Sequence, residues 1–174
     1  MVGRRICGLS IVFVAAAAIA QEVPRPVLHP PSTEAERALA AVLGQGDNEA
    51  GSYDFLTDRD GGRKTHGAKF DGYFSPSLLA AIAAHERKLV KQNCGGVYVD
   101  GDVCGFDVSP LTCVQDMPAD GYRFATERTQ VNSAQVAVGW ETYGAVIARY
   151  RLIKNPGRWV IDAISCPDGP RFNW

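Results

Sequence analysis

The chain has no excess of charge of either sign: 18 Lys and Arg stand against 19 Asp and Glu in 174 residues, a formal −1. Without surplus positive charge to neutralise phosphates, a general nucleic-acid binder is excluded. Cys-x-x-Cys is missing, which removes the zinc ribbon and the thioredoxin-like redox site. Gly-x-Ser-x-Gly, the Walker loop and His-Glu-x-x-His are absent too, so no standard nucleophile, phosphate or zinc-protease motif is at hand. Gly44-x-Gly46 lacks the third glycine of a dinucleotide loop and does not follow a strand. There are no internal repeats. Disorder is excluded as the main state, because 46% apolar and 21% charged residues is ordinary globular composition.

What is present begins with an export signal. Arg4 and Arg5 precede an almost unbroken apolar run from Ile6 to Ile19, and Ala18-Ile19-Ala20 forms a small-x-small cleavage site before Gln21. The run is shorter and poorer in large apolar residues than the roughly 20 a membrane span needs. Cys7 stands early in the run, where lipidation has no support. Residues 1–20 are therefore expected to be a cleaved signal peptide, and the mature protein to be periplasmic or secreted with no membrane span. Cleavage removes Arg4 and Arg5 and no acid, shifting the formal charge to −3. Residues 21–31 carry Pro24, Pro26, Pro30 and Pro31 and read as an extended leader, with a single domain over 32–174.

The mature chain keeps Cys94, Cys104, Cys113 and Cys166. An even number in an exported protein reads as disulfides, and four cysteines allow three pairings. The favoured one joins Cys104 to Cys113 within a loop and Cys94 to Cys166, a helix end to the last strand.

A first helix is expected at about 32–43, with Thr33 and Glu36 at capping-box spacing, Ala35, Leu39, Val42 and Leu43 as its stripe, and Gly44 as its stop. A short helix is expected near Tyr53–Leu56. The second long helix is expected at about 76–93, with Ser75 as N-cap and Pro76 at its first position. Leu78, Leu79, Ile82, Leu89 and Val90 form its apolar face. Glu86 falls in the middle of that face and His85 near its edge. Asp100-Gly101 between Val97-Tyr98-Val99 and Asp102-Val103-Cys104 is a hairpin signal. Residues 105–121 read as an irregular linker. Four period-two runs follow at about 122–129, 134–141, 144–154 and 158–166, with a turn at Asn155-Pro156-Gly157. Helices first and a strand meander last predict an α+β fold, helices packed on a curved antiparallel sheet.

The run Tyr150-Arg151-Leu152-Ile153-Lys154-Asn155-Pro156-Gly157-Arg158-Trp159-Val160-Ile161-Asp162-Ala163-Ile164 resembles the closing hairpin of the nuclear-transport-factor-2-like, or cystatin-like, cone. Together with Tyr73-Phe74-Ser75-Pro76-Ser77-Leu78-Leu79, Asp107, Pro110 and Gln115-Asp116, the chain resembles a family of small exported bacterial domains of unknown function. Leu111 and Ala163 stand where that family pattern has an aromatic and a second acid. The resemblance covers about 70–166 and implies a cone; it implies no activity, since this fold hosts enzymes, binding modules and inert scaffolds.

Two functional readings follow. The first is a non-catalytic binding module for a protein partner or a small ligand, inhibitor- or immunity-like, using Trp140, Arg149, Tyr150 and Arg151, because aromatics and Arg dominate recognition energetics. The second is a small hydrolase- or isomerase-type enzyme with Glu86, aided by His85 or Asp116, as general acid–base in a cone pocket. Against it stands neutralisation of Glu86 by Arg149 or Arg151. Neither reading calls for a cofactor. No metal is expected either: Asp100-Gly101-Asp102 and Asp58-x-Asp60-Gly61 both miss the spacing of a calcium loop. Arg59, Arg63, Lys64, His66 and Lys69, diluted by Asp58, Asp60 and Asp71, read as a solvated mixed-charge loop.

Overall fold

The computed structural model describes residues 25–48, 56, 71–116, 120–142 and 144–174. Helix α1 spans Glu34–Asn48 and α2 spans Pro76–Cys94; strands β1 Tyr122–Gln130, β2 Ser133–Trp140, β3 Val146–Asn155, β4 Arg158–Ser165 and β5 Arg171–Phe172 follow in order. The five strands form one antiparallel sheet in sequence order, so the chain is α+β, helices first and a meander last.

The capping box at the start of α1 is complete. Thr33 Oγ1 accepts from Glu36 N–H at 3.1 Å, and Glu36 Oε2 accepts from Thr33 N–H at 3.0 Å. Gly44 does not end the helix, which runs on to Asn48. A glycine stops a helix by taking a left-handed conformation, and Gly44 is not among the positive-φ glycines. Gly95 is: at φ 68° it follows α2, and Gly96 N–H closes the turn on Val90 O at 3.1 Å. At the other end Ser75 Oγ caps α2 by accepting from Leu78 N–H.

Period two sorts the sheet into faces. Phe124, Val136, Val138, Ala148, Tyr150, Leu152, Ile161 and Ile164 share a buried cluster with Leu39, Val42 and Leu43 of α1 and Leu78 and Ile82 of α2. Each buried Val, Leu, Ile or Phe among them contributes roughly 1.5–3 kcal/mol on burial. Three strands carry an extra residue: Glu127 in β1, Ile147 in β3 and Asp162 in β4. Such bulges bend a strand and raise its twist. β5 was not expected; two residues carry no periodicity, although Phe172 is buried against the core.

The described part of the leader, from Arg25 on, lies on the sheet. His29 N–H donates to Phe124 O at 2.9 Å and Phe124 N–H to His29 O at 2.7 Å, a one-residue bridge on the open edge of β1. Pro26, Pro30 and Pro31 have no N–H to extend it. Leu28 comes so close to Gly139 that a Cβ there would stand 2.5 Å from Leu28 Cδ1 and 2.3 Å from Ala145 O. Gly139 is thus the gap that lets the leader cross.

Three further expectations change. The disulfides are Cys94–Cys104 and Cys113–Cys166, not Cys104–Cys113 and Cys94–Cys166. Gly95 and Gly96 reverse the chain straight after α2, so Cys104 returns to the helix end, where Asn93 Nδ2 donates to its carbonyl at 3.2 Å. Residues 97–104 form turns, not a hairpin: the covalent ring closes before a strand ladder has room, with Asp102 N–H donating to Val99 O and Cys104 N–H to Asp102 O. The stretch 105–116 is irregular but packed. Ser109, Leu111 and Thr112 are buried, and Ser109 Oγ accepts from Leu111 N–H and Thr112 N–H. The short helix expected near Tyr53–Leu56 lies outside the described residues except for Leu56, a buried turn residue.

Candidate functional site

The end of α2 and the loop it feeds make the most unusual surface. Leu78, Ile82, Glu86 and Val90 are the buried residues of α2, four apart throughout. The first two face the sheet core. Glu86 instead accepts a hydrogen bond from the Tyr98 hydroxyl in the Cys94–Cys104 loop. Two devices therefore hold this loop: a disulfide at its ends and a phenol–carboxylate bond at its middle. With Tyr98 turned inward, its neighbours turn outward. Val97, Val99 and Val103 are 72%, 48% and 58% exposed, three of the six exposed large apolar side chains among the described residues. Beside them lies a cavity of about 360 Å³, lined by Glu86, Val90, Tyr98, Gly95, Gly96 and the two cations Arg87 and Lys91.

Few residues favoured for recognition offer a free surface. Tyr150 is fully buried, its hydroxyl donating to Leu111 O at 2.6 Å. Trp140 is half-buried at the end of β2, opposite Tyr122. Arg149 Nε donates to both carboxylate oxygens of Glu127, at 3.0 and 3.1 Å. Arg151 donates from Nε and Nη2 to Asp162 Oδ2, at 2.9 and 2.7 Å, and from Nη2 to Asn173 O at 2.7 Å. Glu127 and Asp162 are bulge residues of β1 and β4, so each bulge presents a carboxylate to an arginine of β3. Asp162 lies below its ordinary range: burial pushes it up, and hydrogen bonds from Ser75, Arg151 and Ser77 with the Arg151 charge outweigh this. Arg149 also lines a smaller cavity, about 320 Å³, with Arg25 and Pro26 of the leader.

Of the acid–base candidates, Glu86 alone meets a cavity with its carboxylate buried. His85 stacks on Phe106 at 5.5 Å and meets the edge of Phe172 at 5.5 Å. Burial, then the Lys88 charge, lowers its pKa. Asp116 is exposed. Neither Arg149 nor Arg151 neutralises Glu86; Tyr98 is its hydrogen-bond donor. Among the described residues no three His, Cys, Asp or Glu side chains converge as metal ligands. Asp58, Asp60 and the basic cluster Arg59, Arg63, Lys64, His66 and Lys69 lie outside the described residues.

The exposed valines escaped sequence reasoning because Val-Tyr-Val around Asp-Gly looks like a strand pair. The signal that could have exposed them is Gly95-Gly96 beside a cysteine with another ten residues on. No family model, no curated protein and no solved structure matches this chain. The two disulfides, and the lack among the described residues of any helix long and apolar enough to cross a membrane, are compatible with an extracellular or periplasmic protein.

Proposed function

We propose that this is an exported, non-catalytic binding module whose contact surface is the disulfide-clamped loop Cys94–Cys104. The carrying observation is the exposure of Val97, Val99 and Val103 on a loop fixed at both ends and at its middle. Exposed apolar clusters mark interaction sites, and a loop ordered in advance loses little entropy on binding. Export rests on the signal-like residues 1–20 and the two disulfides. A nuclear-transport-factor-2-like cone is the shape we infer for the sheet and its helices, supported by the three strand-bending bulges.

Site-directed photo-crosslinking in the exporting cell tests the surface. A photo-reactive residue at position 97 or 99 is expected to give a discrete adduct. The same residue at Val131, which is 90% exposed in the β1–β2 turn, is expected to give none. Adducts equal at all three positions, or none at 97 and 99, overturn the reading.

A second reading keeps Glu86 as a general acid–base, favoured by its burial against the 360 Å³ cavity. Glu86→Gln retains an acceptor for Tyr98 and removes the proton-transfer group. An activity that falls 10²-fold or more, in the range of general acid–base catalysis, with the melting temperature kept, carries this reading. An unchanged rate ends it.

A further inference from the structure

We propose that the occupant of this surface is a second copy of the chain, joined across a two-fold axis. This rests on the reading of Cys94–Cys104 as a contact surface and names its partner. An isologous dimer needs one patch that complements itself, and this patch carries both halves of each complement. Its apolar halves are the projecting Val97 and Val99 and the adjoining cavity floored by Val90 and the Tyr98 ring. Its charged halves are Arg87 and Lys91, exposed on the last turns of α2, and Asp100 and Asp102, exposed at the loop tip. None of the four is ion-paired among the described residues.

A two-fold axis through the patch sets the loop of one copy against the end of α2 of the other. Asp100 and Asp102 then meet the second copy's cations, and the valines meet its cavity. A formal charge of −3 on the chain after removal of residues 1–20 adds little repulsion between copies.

Sedimentation equilibrium on the oxidised protein, wild type and variants, tests this. A dimer is expected that weakens with added salt. D100K/D102K and R87E/K91E are each expected to raise the dimer Kd about tenfold or more by placing like charges across the axis. All four positions are exposed, so both variants should fold. Mixing the two variants pairs reversed acids with reversed bases and is expected to restore association as a heterodimer.

A wild type that stays monomeric, a Kd unchanged by both charge reversals, or a mixture that fails to associate overturns the second copy as occupant. Crosslinking at position 97 separates this failure from that of the contact surface. An adduct to a different protein overturns the dimer and leaves the surface standing. No adduct at all removes both.

Discussion

Paired alanine substitution of Cys113 and Cys166 is expected to lower the unfolding free energy by about 4 kcal/mol, and of Cys94 and Cys104 by about 3 kcal/mol. The order follows from loop length: the two bridges join residues 53 and 10 apart. Cross-linking removes more entropy from the unfolded chain as the closed loop grows. The long bridge ties the packed stretch 105–116 to the end of β4, so the Tyr150 hydroxyl and its Leu111 acceptor depend on it as well. Against a usual total of about 5–15 kcal/mol, such a loss is a large fraction of stability. Cys113 also stands at φ 64°, a left-handed conformation that costs a non-glycine residue roughly 1 kcal/mol. Hence C113G/C166A is expected to unfold at higher urea than C113A/C166A. The short bridge has the opposite profile: its loss costs less stability and more contact, because it fixes the exposed valines. Urea midpoints for the two bridge variants, with crosslinking at position 97, check both halves. A smaller stability loss for C113A/C166A than for C94A/C104A contradicts the expectation.

Much of the architecture was legible because it is written in local periodicity. Ala148, Tyr150 and Leu152 alternate with Arg149 and Arg151, and that alternation alone places Tyr150 in the core. Residue type suits Tyr150 to recognition, but its place in the alternation puts it in the core, fully buried. Thr33 with Glu36 and Ser75 with Pro76 marked the starts of both helices, since caps are made by neighbours in sequence. Contacts set by distant segments left no such trace. Cysteine pairing depends on where the chain returns, and a choice among three pairings carries no periodicity. The bulge carboxylates Glu127 and Asp162 hold Arg149 and Arg151 of β3, although a bulge leaves no mark in an alternating pattern. Glu86 was visible as an acid on an apolar stripe. That it faces Tyr98 was not, because the drift of a four-residue repeat around a helix carries the stripe off the sheet by the last turns.

Acid is expected to weaken the fold through Glu36, and Glu36→Gln to abolish most of that sensitivity. The carboxylate is fully buried and surrounded by donors. Oε2 accepts from Ser32 N–H at 2.8 Å, Ser32 Oγ at 3.0 Å and Thr33 N–H at 3.0 Å; Oε1 accepts from Thr126 Oγ1 of β1 at 2.7 Å. His29 Nε2 of the leader lies 3.9 Å from Oε1. One side chain thus caps α1, fastens it to the edge strand and faces the leader bridge. Burial pushes its pKa up, and the Thr33, Ser32 and Thr126 hydrogen bonds outweigh this and hold it at about 2, against 4.5 for an ordinary glutamate. Between those values the unfolded chain binds the proton more readily than the native one, so stability falls as pH falls. The contribution is complete well above 4.5 and lost on approach to 2, and it amounts to about 3 kcal/mol. Asp162, also held low, adds in the same direction and remains in the variant. Glu36→Gln places an amide against donors that need an acceptor and is expected to cost about 2–3 kcal/mol at pH 7. Its stability curve should then run flatter than the wild type's below pH 4.5, with the two converging near pH 2. Urea unfolding of both proteins from pH 7 to 2 decides it, and parallel curves over that range would remove Glu36 as the source.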